Sequence, residues 1–383
     1  MWTQYLVLAI ATAFLAVGQD RPRPDAQTFR VTTERIQFDA LFLDSRKRPV
    51  TDIRPDEVTV RQAGTLVPLM DLRFYARTAA ATPPSPAPTK ESSRGTLETE
   101  TAPSRAPATS TDEGAWVFLI DDLAMSPDGF ARAKAGLLAM LAGDVPSGVA
   151  IGILRTGVIG THQTRLSSSR SELARSVAGM QYKANRWRGG LMSRSGATVA
   201  GPNRGDTVYV EGTLGSLNSL VLSLRPLSGR KVVFVLSELI ALTAVESDVP
   251  PGGAMRTVVW DVKYNGTAAR LRRLGKLAGE AGVTVHTIDL AGVTAASSND
   301  RAFQDEGLHA VADELGGLYF GASNDVGPLL EKVVAAEQGY YVLAYEPPTG
   351  TFDDGGKAKF VDVDVTVSRP GVNVRTRRGF FTR

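Results

Sequence analysis

One stretch decides the fold: Trp116-Val-Phe-Leu-Ile-Asp-Asp-Leu-Ala-Met-Ser126. Its first five residues are all apolar, as in a strand that is buried on both faces of a parallel sheet. Two carboxylates, Asp121 and Asp122, follow at once, and Ser126-Pro127-Asp128 has the form of a helix start. Ligands of open α/β sheets bind just beyond the carboxyl ends of the strands. Carboxylates and hydroxyls at that edge therefore predict a candidate site for a hard cation such as Mg²⁺.

Downstream of this stretch, apolar strands alternate with amphipathic helices. Continuous apolar strands covered by helices predict a Rossmann-like, doubly wound and mostly parallel α/β sheet. The predicted strands are Trp116–Ile120, Val149–Leu154, Lys231–Leu236 and Val283–Ile288. The predicted helices are Pro127–Leu141, Ser169–Met180, Thr213–Leu224, Ala268–Ala281, Leu308–Leu315 and Val326–Glu337.

Both ends of the chain outside this region have the pattern of β-structure. In residues 19–77, Phe29–Leu43 alternates apolar and polar positions in part. In residues 341–383, apolar and polar positions alternate along 361–367, and Pro370-Gly371 then allows 372–381 to return as a second strand. About fifty N-terminal residues are few for an independent sheet. We therefore expect the two ends to pair and form one small β-sandwich-like module beside a domain at 115–340.

Two further segments are set apart by composition. Residues 78–114 consist mainly of Ala, Pro, Ser and Thr, which predicts a disordered linker. Residues 1–18 contain the apolar run Tyr5–Val17, which has the length of a signal peptide and ends in small residues that suit cleavage. A buried helix is the alternative, because the run lacks a positively charged leader. The prediction is a secreted or periplasmic protein with no transmembrane segment in the mature chain.

Composition and motifs exclude several functions. The 43 cationic residues against 40 anionic ones give no broad basic surface, so we expect no nucleic-acid partner. There are no cysteines, which excludes disulfides and thiolate chemistry. The sequence has no P-loop, no Gly-x-Ser-x-Gly and no His-Glu-x-x-His motif. His286 lies in an apolar strand and is interpreted as a core residue. A non-enzymatic protein is therefore expected, and a hydrolase that uses the acidic cluster is the least favoured alternative.

Several segments resemble the von Willebrand factor type A (VWA) domain family. Phe118–Asp121 is similar to the first strand of that family with its metal-site aspartate, Arg230–Glu238 to the fourth strand, and Val283–Asp289 to the fifth. A bacterial VWFA-related subgroup, of the acidobacterial type, is similar in further segments. These are Asp121-Asp122-Leu123, Arg48–Ile53 with Val58, Tyr340–Tyr345 and Val374–Phe381. The resemblance implies a VWA-like fold and a metal-ion-dependent adhesion site.

In that family the site combines an Asp-x-Ser-x-Ser loop, a threonine from a second loop and an aspartate from a third. Here Leu123 and Met125 stand where the resemblance implies serines, and a shift by one residue recovers only one hydroxyl. The site is thus degenerate, and we expect it to hold Mg²⁺ weakly or not at all, because Mg²⁺ demands a nearly complete octahedron of oxygen ligands. The candidate metal ligands are Asp121, Asp122, Ser126, Ser167 and Glu238.

Each candidate ligand also has an interpretation without a metal. Ser126 precedes Pro127 and suits a helix N-cap. Ser167 lies just before a predicted helix and could serve capping or loop solvation. The acidic pair could be solvated at the strand end, close to the positive end of the following helix.

One insertion, Arg186–Asp206, interrupts the strand–helix alternation and is rich in Arg, Gly and Ser. It is either a mobile surface loop or a binding loop beside the sheet top, since long loops there often carry function. Under the second interpretation the candidate partner-binding residues are Arg186, Trp187 and Arg188.

Together these observations predict an exported, non-enzymatic VWA-like protein-interaction or adhesion module with a degenerate metal-ion-dependent adhesion site. Its partner would be a protein or a surface polymer that the sequence does not name. The alternative is a structural or accessory component of an envelope complex, in which the sheet top is inert.

Overall fold

The strand–helix alternation of the sequence is present in the computed structural model of the protein. The structure describes residues 35–77, 114–123, 125–143, 145–146, 148–158, 166–182, 204–240, 243–248, 256–261, 266–292, 298–321, 323–352 and 358–382. The predicted signal peptide, the predicted linker up to residue 113, and Arg186, Trp187 and Arg188 lie outside these residues.

The described residues form the following elements. The strands are β1 (Ile36–Leu43), β2 (Val58–Gln62), β3 (Thr65–Val67), β4 (Leu69–Ala76), β5 (Gly114–Ile120), β6 (Val149–Arg155), β7 (Lys231–Ser237), β8 (Thr243–Asp248), β9 (Arg256–Asp261), β10 (Val283–Asp289), β11 (Tyr319–Phe320), β12 (Gly339–Tyr345), β13 (Phe360–Val367), β14 (Asn373–Thr376) and β15 (Gly379–Phe381). The helices are α1 (Pro127–Ala142), α2 (Arg170–Ala178), α3 (Arg204–Leu224), α4 (Thr267–Ala281), α5 (Ser298–Glu314) and α6 (Val326–Ala336).

Five strands form a parallel sheet in the order β11-β10-β7-β5-β6. Helices α1, α2 and α6 cover one face, and α3, α4 and α5 cover the other. Side chains alternate between the faces with the period of two that a strand imposes. In β5, Trp116 and Phe118 point to the first face, whereas Val117 points to the second. The predicted fold class, a doubly wound parallel α/β sheet with helices on both faces, is confirmed.

The predicted β-sandwich-like module is confirmed as well. One antiparallel sheet has the order β14-β1-β12-β4 and the other β15-β13-β2-β3. Strands from the two ends of the chain interleave, because β1 lies between β12 and β14, and β2 lies between β13 and β3. The two sheets share an apolar core that includes Phe38, Tyr345, Val60, Val365 and Phe380.

Some boundaries differ from the sequence prediction. β12 begins at Gly339 and belongs to the sandwich, so the C-terminal segment of that module begins before the predicted residue 341. β5 begins at Gly114, inside the segment interpreted as linker. Helix α3 begins nine residues before Thr213, because the polar, glycine-containing start of this helix has low helix propensity in sequence. The hairpin β8–β9, which follows β7, was not predicted.

A buried ion pair connects the α/β domain to the segment that enters the sandwich. Arg230, just before β7, donates from Nε and Nη2 to the two carboxylate oxygens of Glu337, at 2.8 Å each. His286 on β10 contacts Glu337 Oε1 through Nε2 at 2.8 Å, while its Nδ1 accepts from the Leu318 backbone N–H. The prediction that His286 is a core residue is confirmed. Among the described residues, no helix is both long and apolar enough to cross a bilayer.

Candidate functional site

The register of the parallel sheet brings three polar residues to one level at its carboxyl edge. Ile120 of β5 lies opposite Arg155 of β6 on one side and opposite Leu236 of β7 on the other. The next residue on each strand must therefore lie at the same height. These residues are Asp121, Thr156 and Ser237, and they form the centre of the site.

Asp121 is fully buried and accepts hydrogen bonds from three hydroxyls. Thr156 and Thr213 donate to its Oδ1 at 2.9 and 2.8 Å, and Ser237 donates to its Oδ2 at 2.8 Å. Burial raises the pKa of Asp121 to about 6, because the charged carboxylate is removed from water; the three hydroxyls lower the pKa and the neighbouring Asp122 raises it further. The three described donors to this carboxylate are therefore all neutral hydroxyls.

Asp122 is paired with an arginine. Arg155 donates from Nε to Oδ2 of Asp122 at 2.8 Å, and its Nη2 lies 2.6 Å from the same oxygen. The other oxygen, Oδ1, accepts from the backbone N–H of Gly157 at 2.6 Å and lies 3.0 Å from the Thr156 hydroxyl. A Cβ at position 157 would lie 3.0 Å from that oxygen, so glycine allows this close approach. Both oxygens of Asp122 thus have hydrogen-bond donors from the protein.

Ser126 and Glu238 form a separate pair at the start of α1. The Ser126 hydroxyl caps the helix by accepting from Gly129 N–H at 3.0 Å, which is the capping role weighed for it from sequence. The same hydroxyl donates to Glu238 Oε1 at 2.5 Å, and Ser126 N–H donates to Oε2 at 2.8 Å. Arg132 of α1 lies 3.4 Å from Glu238 Oε1. Glu238 therefore acts as an anion at the positive end of a helix.

The structure does not bring Ser167 to the acidic pair. Ser167 pairs through its backbone with Ile151, and its hydroxyl donates to Glu172 at 3.0 Å. Ile151 lies opposite Trp116, which is five residues before Asp121 along β5. At the rise of a β-strand, Ser167 is about 16 Å from the level of Asp121. Its placement among the candidate metal ligands is therefore corrected.

Sequence reasoning missed the hydroxyls that do contact Asp121. Thr156 lies two residues beyond the predicted strand end at Leu154, and Ser237 directly follows the strand that was predicted to end at Leu236. Aligning the ends of the predicted strands would have placed Ser237 beside Asp121, but it would have placed Arg155 there instead of Thr156. Thr213 lies inside α3, where nothing in its sequence surroundings indicates a contact with Asp121.

These residues do not fit a Mg²⁺ ion. Mg²⁺ requires oxygen lone pairs arranged as an octahedron, whereas the oxygens of Asp121 and Asp122 face hydroxyl, amide and guanidinium hydrogens. Glu238, the third carboxylate candidate, is engaged by Ser126 and Arg132. Across the described ranges, no group of three or more His, Asp or Glu side chains could hold a metal ion.

The sequence matches no known family model and no curated protein. Among solved structures, an aerotolerance-related membrane protein from Bacteroides fragilis, carrying multiple mutations to serine, is similar at 13% identity and a TM-score of 0.33; the match covers 59% of this chain and 98% of that one. An aspartate-to-alanine mutant of the PilB minor pilin from Streptococcus sanguinis is similar at 14% identity and a TM-score of 0.33, covering 61% and 62%. The conserved hypothetical protein BatB from Bacteroides thetaiotaomicron is similar at 13% identity and a TM-score of 0.30, covering 58% and 98%.

Proposed function

We propose that this chain is an exported, non-enzymatic interaction module whose sheet top recognises an envelope protein or a surface polymer without a metal ion. One observation supports binding of a partner without a metal ion. The oxygens of Asp121 and Asp122 are bound by three hydroxyls, a backbone amide and an arginine. Each oxygen of these two carboxylates is already bound by a protein donor, which disfavours a cation or an activated water at this place. The proposal that the protein is exported rests on Tyr5–Val17.

The surroundings of the site support recognition at this edge. Binding residues in proteins are often carried by loops on a rigid scaffold, and in open α/β sheets they lie at the carboxyl ends of the strands. Here the exposed residues Pro127, Asp128 and Gly157 lie next to the buried network. The hairpin β8–β9 extends from the same end of β7. Arg186, Trp187 and Arg188 stay a prediction for the loop that would complete this surface.

The alternative is a structural or accessory component whose sheet top is inert. The hydrogen bonds to the acidic pair support this alternative as much as they support the proposed function, because carboxylates that are bound by the protein need no ligand. The two functions differ in where a partner binds. An interaction module of the proposed kind loses its partner when the exposed charge at the sheet top is reversed, whereas an inert sheet top tolerates that change.

A matched pair of charge reversals separates the two functions. Asp128 is exposed in the first turn of α1, and Asp364 is exposed on β13 in the sandwich. We expect Asp128→Lys to weaken binding of the ligand captured from an envelope fraction roughly tenfold. A tenfold change in affinity corresponds to a loss of about 1.4 kcal/mol of binding free energy from the mismatched charge. Asp364→Lys, with the same charge change, should bind like the wild type. Biolayer interferometry in Mg²⁺ and in EDTA measures both variants.

Three results would argue against the proposal. Loss of binding in EDTA would contradict a metal-free sheet top. Equal binding by Asp128→Lys and the wild type would favour the inert sheet top. Equal weakening by both reversals would show a general charge effect rather than recognition at this edge.

A further inference from the structure

We propose that Arg155 is a built-in counter-cation, whose guanidinium takes the place beside the acidic pair that a divalent cation would otherwise fill. This role of Arg155 explains why the residues at the sheet top do not fit a Mg²⁺ ion. Leu123 and Met125 offer no hydroxyl beside the acidic pair, and the chain supplies a positive charge from the end of the neighbouring strand.

The position of Arg155 is fixed by the fold. It is the last residue of β6 and lies opposite Ile120, so its side chain begins level with the end of β5. The guanidinium lies over the ring of Phe130, 5.0 Å from the ring centroid, and Nη1 donates to the backbone oxygen of Gln181 at 3.0 Å. The Arg155 side chain is 11% exposed and that of Asp122 is 5% exposed. These contacts hold a buried ion pair in one geometry.

The acidic pair needs a positive charge that the other donors cannot supply. Two adjacent buried carboxylates repel each other, and hydroxyl donors carry no net charge. Thr156 contacts oxygens of both Asp121 and Asp122 but has a single hydrogen to give. Arg132, the other nearby cation, is engaged by Glu238 and by the Leu290 carbonyl. Within the part of the chain that the structure describes, the compensating charge in contact with the pair is therefore that of Arg155.

Removing the guanidinium should turn the acidic pair into a cation site. Asp122 Oδ2 would lose its charged donor, and a hydrated Mg²⁺ could then bind the exposed oxygen directly or through water. Arg155→Met keeps an unbranched apolar side chain against Phe130 but removes the charge. Loss of one partner of a buried pair should lower the Tm by about 10 °C in EDTA.

The experiment compares melting temperatures in EDTA, in 10 mM MgCl₂ and in NaCl of equal ionic strength. The wild type should show the same Tm in MgCl₂ and in NaCl. Arg155→Met should regain about 3 °C in MgCl₂, as expected for a ligand at about ten times a millimolar dissociation constant. Arg155→Gln, which retains a neutral donor, provides a milder second variant with the same expected response.

Two controls identify the site of that response. The double variant Arg155→Met/Asp122→Asn should not respond to Mg²⁺, because the carboxylate is gone. Arg155→Lys should also show no response to Mg²⁺, because it keeps the positive charge. A Mg²⁺-specific rise in the Tm of the wild type would overturn the proposal, and so would the absence of a response in Arg155→Met and Arg155→Gln. No partner is present in this experiment, so its outcome is independent of the proposed recognition function.

Discussion

Glu337→Ala is expected to lower the free energy of unfolding by about 3–5 kcal/mol, the range measured when one partner of a buried ion pair is removed. Glu337 and His286 are fully buried, and the guanidinium of Arg230 is nearly so. Burial alone would raise the pKa of Glu337, but the charge of Arg230 and the hydrogen bonds from Arg230 and His286 outweigh it and hold the pKa below its ordinary value. Without the carboxylate, the buried guanidinium keeps, among the described residues, only the longer anionic contact with Asp39 Oδ2, at 3.6 Å.

Urea unfolding at neutral pH measures this effect. Glu331→Ala is the matched control, because Glu331 is exposed on α6, only six residues from Glu337, and should change stability by less than about 0.5 kcal/mol. The double variant Glu337→Ala/Arg230→Met should recover part of the loss, since it also removes the buried charge that Asp39 compensates only at 3.6 Å. Similar small losses for Glu337→Ala and Glu331→Ala would contradict the role of this ion pair.

Asp121→Asn is expected to abolish a pH dependence of stability worth about 3 kcal/mol. The pKa of Asp121 is about 6 in the folded chain and 3.8 for an ordinary aspartate. Because the pKa of Asp121 is higher in the folded chain than in the unfolded chain, protonation of Asp121 stabilises the folded state. This stabilisation is fully present below pH 3.8 and is lost as the pH rises through about 6. At 1.36 kcal/mol per pKa unit, the wild type should lose about 3 kcal/mol across that window relative to Asp121→Asn.

The asparagine can be accommodated by the existing hydroxyls. Its Oδ1 can accept from Thr156 and Thr213, as the carboxylate does. Its amide can donate to Ser237, whose own hydrogen can turn to the Leu239 carbonyl, 3.2 Å away. Asp121→Asn should therefore be as stable as the wild type, or more stable, at pH 7.5. Chemical unfolding between pH 4 and 7.5 measures both chains. A large loss of stability at pH 7.5 with an unchanged pH slope would show that the negative charge is required.

The architecture was predictable because burial on both faces leaves a strong pattern in sequence. Trp116–Ile120 and Lys231–Leu236 are continuous apolar runs, and runs of this kind allow few alternatives to a central parallel strand. The alternating valines of β13 likewise indicated a half-buried strand of the sandwich. The hairpin β8–β9 was missed, because Thr243–Asp248 has no clear apolar alternation.

The site was predictable only in part. Asp121 and Asp122 were found because they directly follow a buried strand. Ser126 and Glu238 were found too, but the structure pairs them with each other at the helix N-terminus. The contact of Thr213 with Asp121 spans 92 positions of the chain. Such a pairing depends on how α3 packs on the sheet, and local residue patterns carry no information about that packing.

The most direct test of a metal-free sheet top is anomalous X-ray diffraction from crystals of the wild type grown in 10 mM MnCl₂. Mn²⁺ takes the same oxygen ligands as Mg²⁺ and is visible by its anomalous scattering. We predict that Arg155 contacts Asp122, that three hydroxyls surround Asp121, and that no anomalous peak lies within coordination distance of either carboxylate. A peak between Asp121 and Asp122, with Arg155 turned away, would contradict the account.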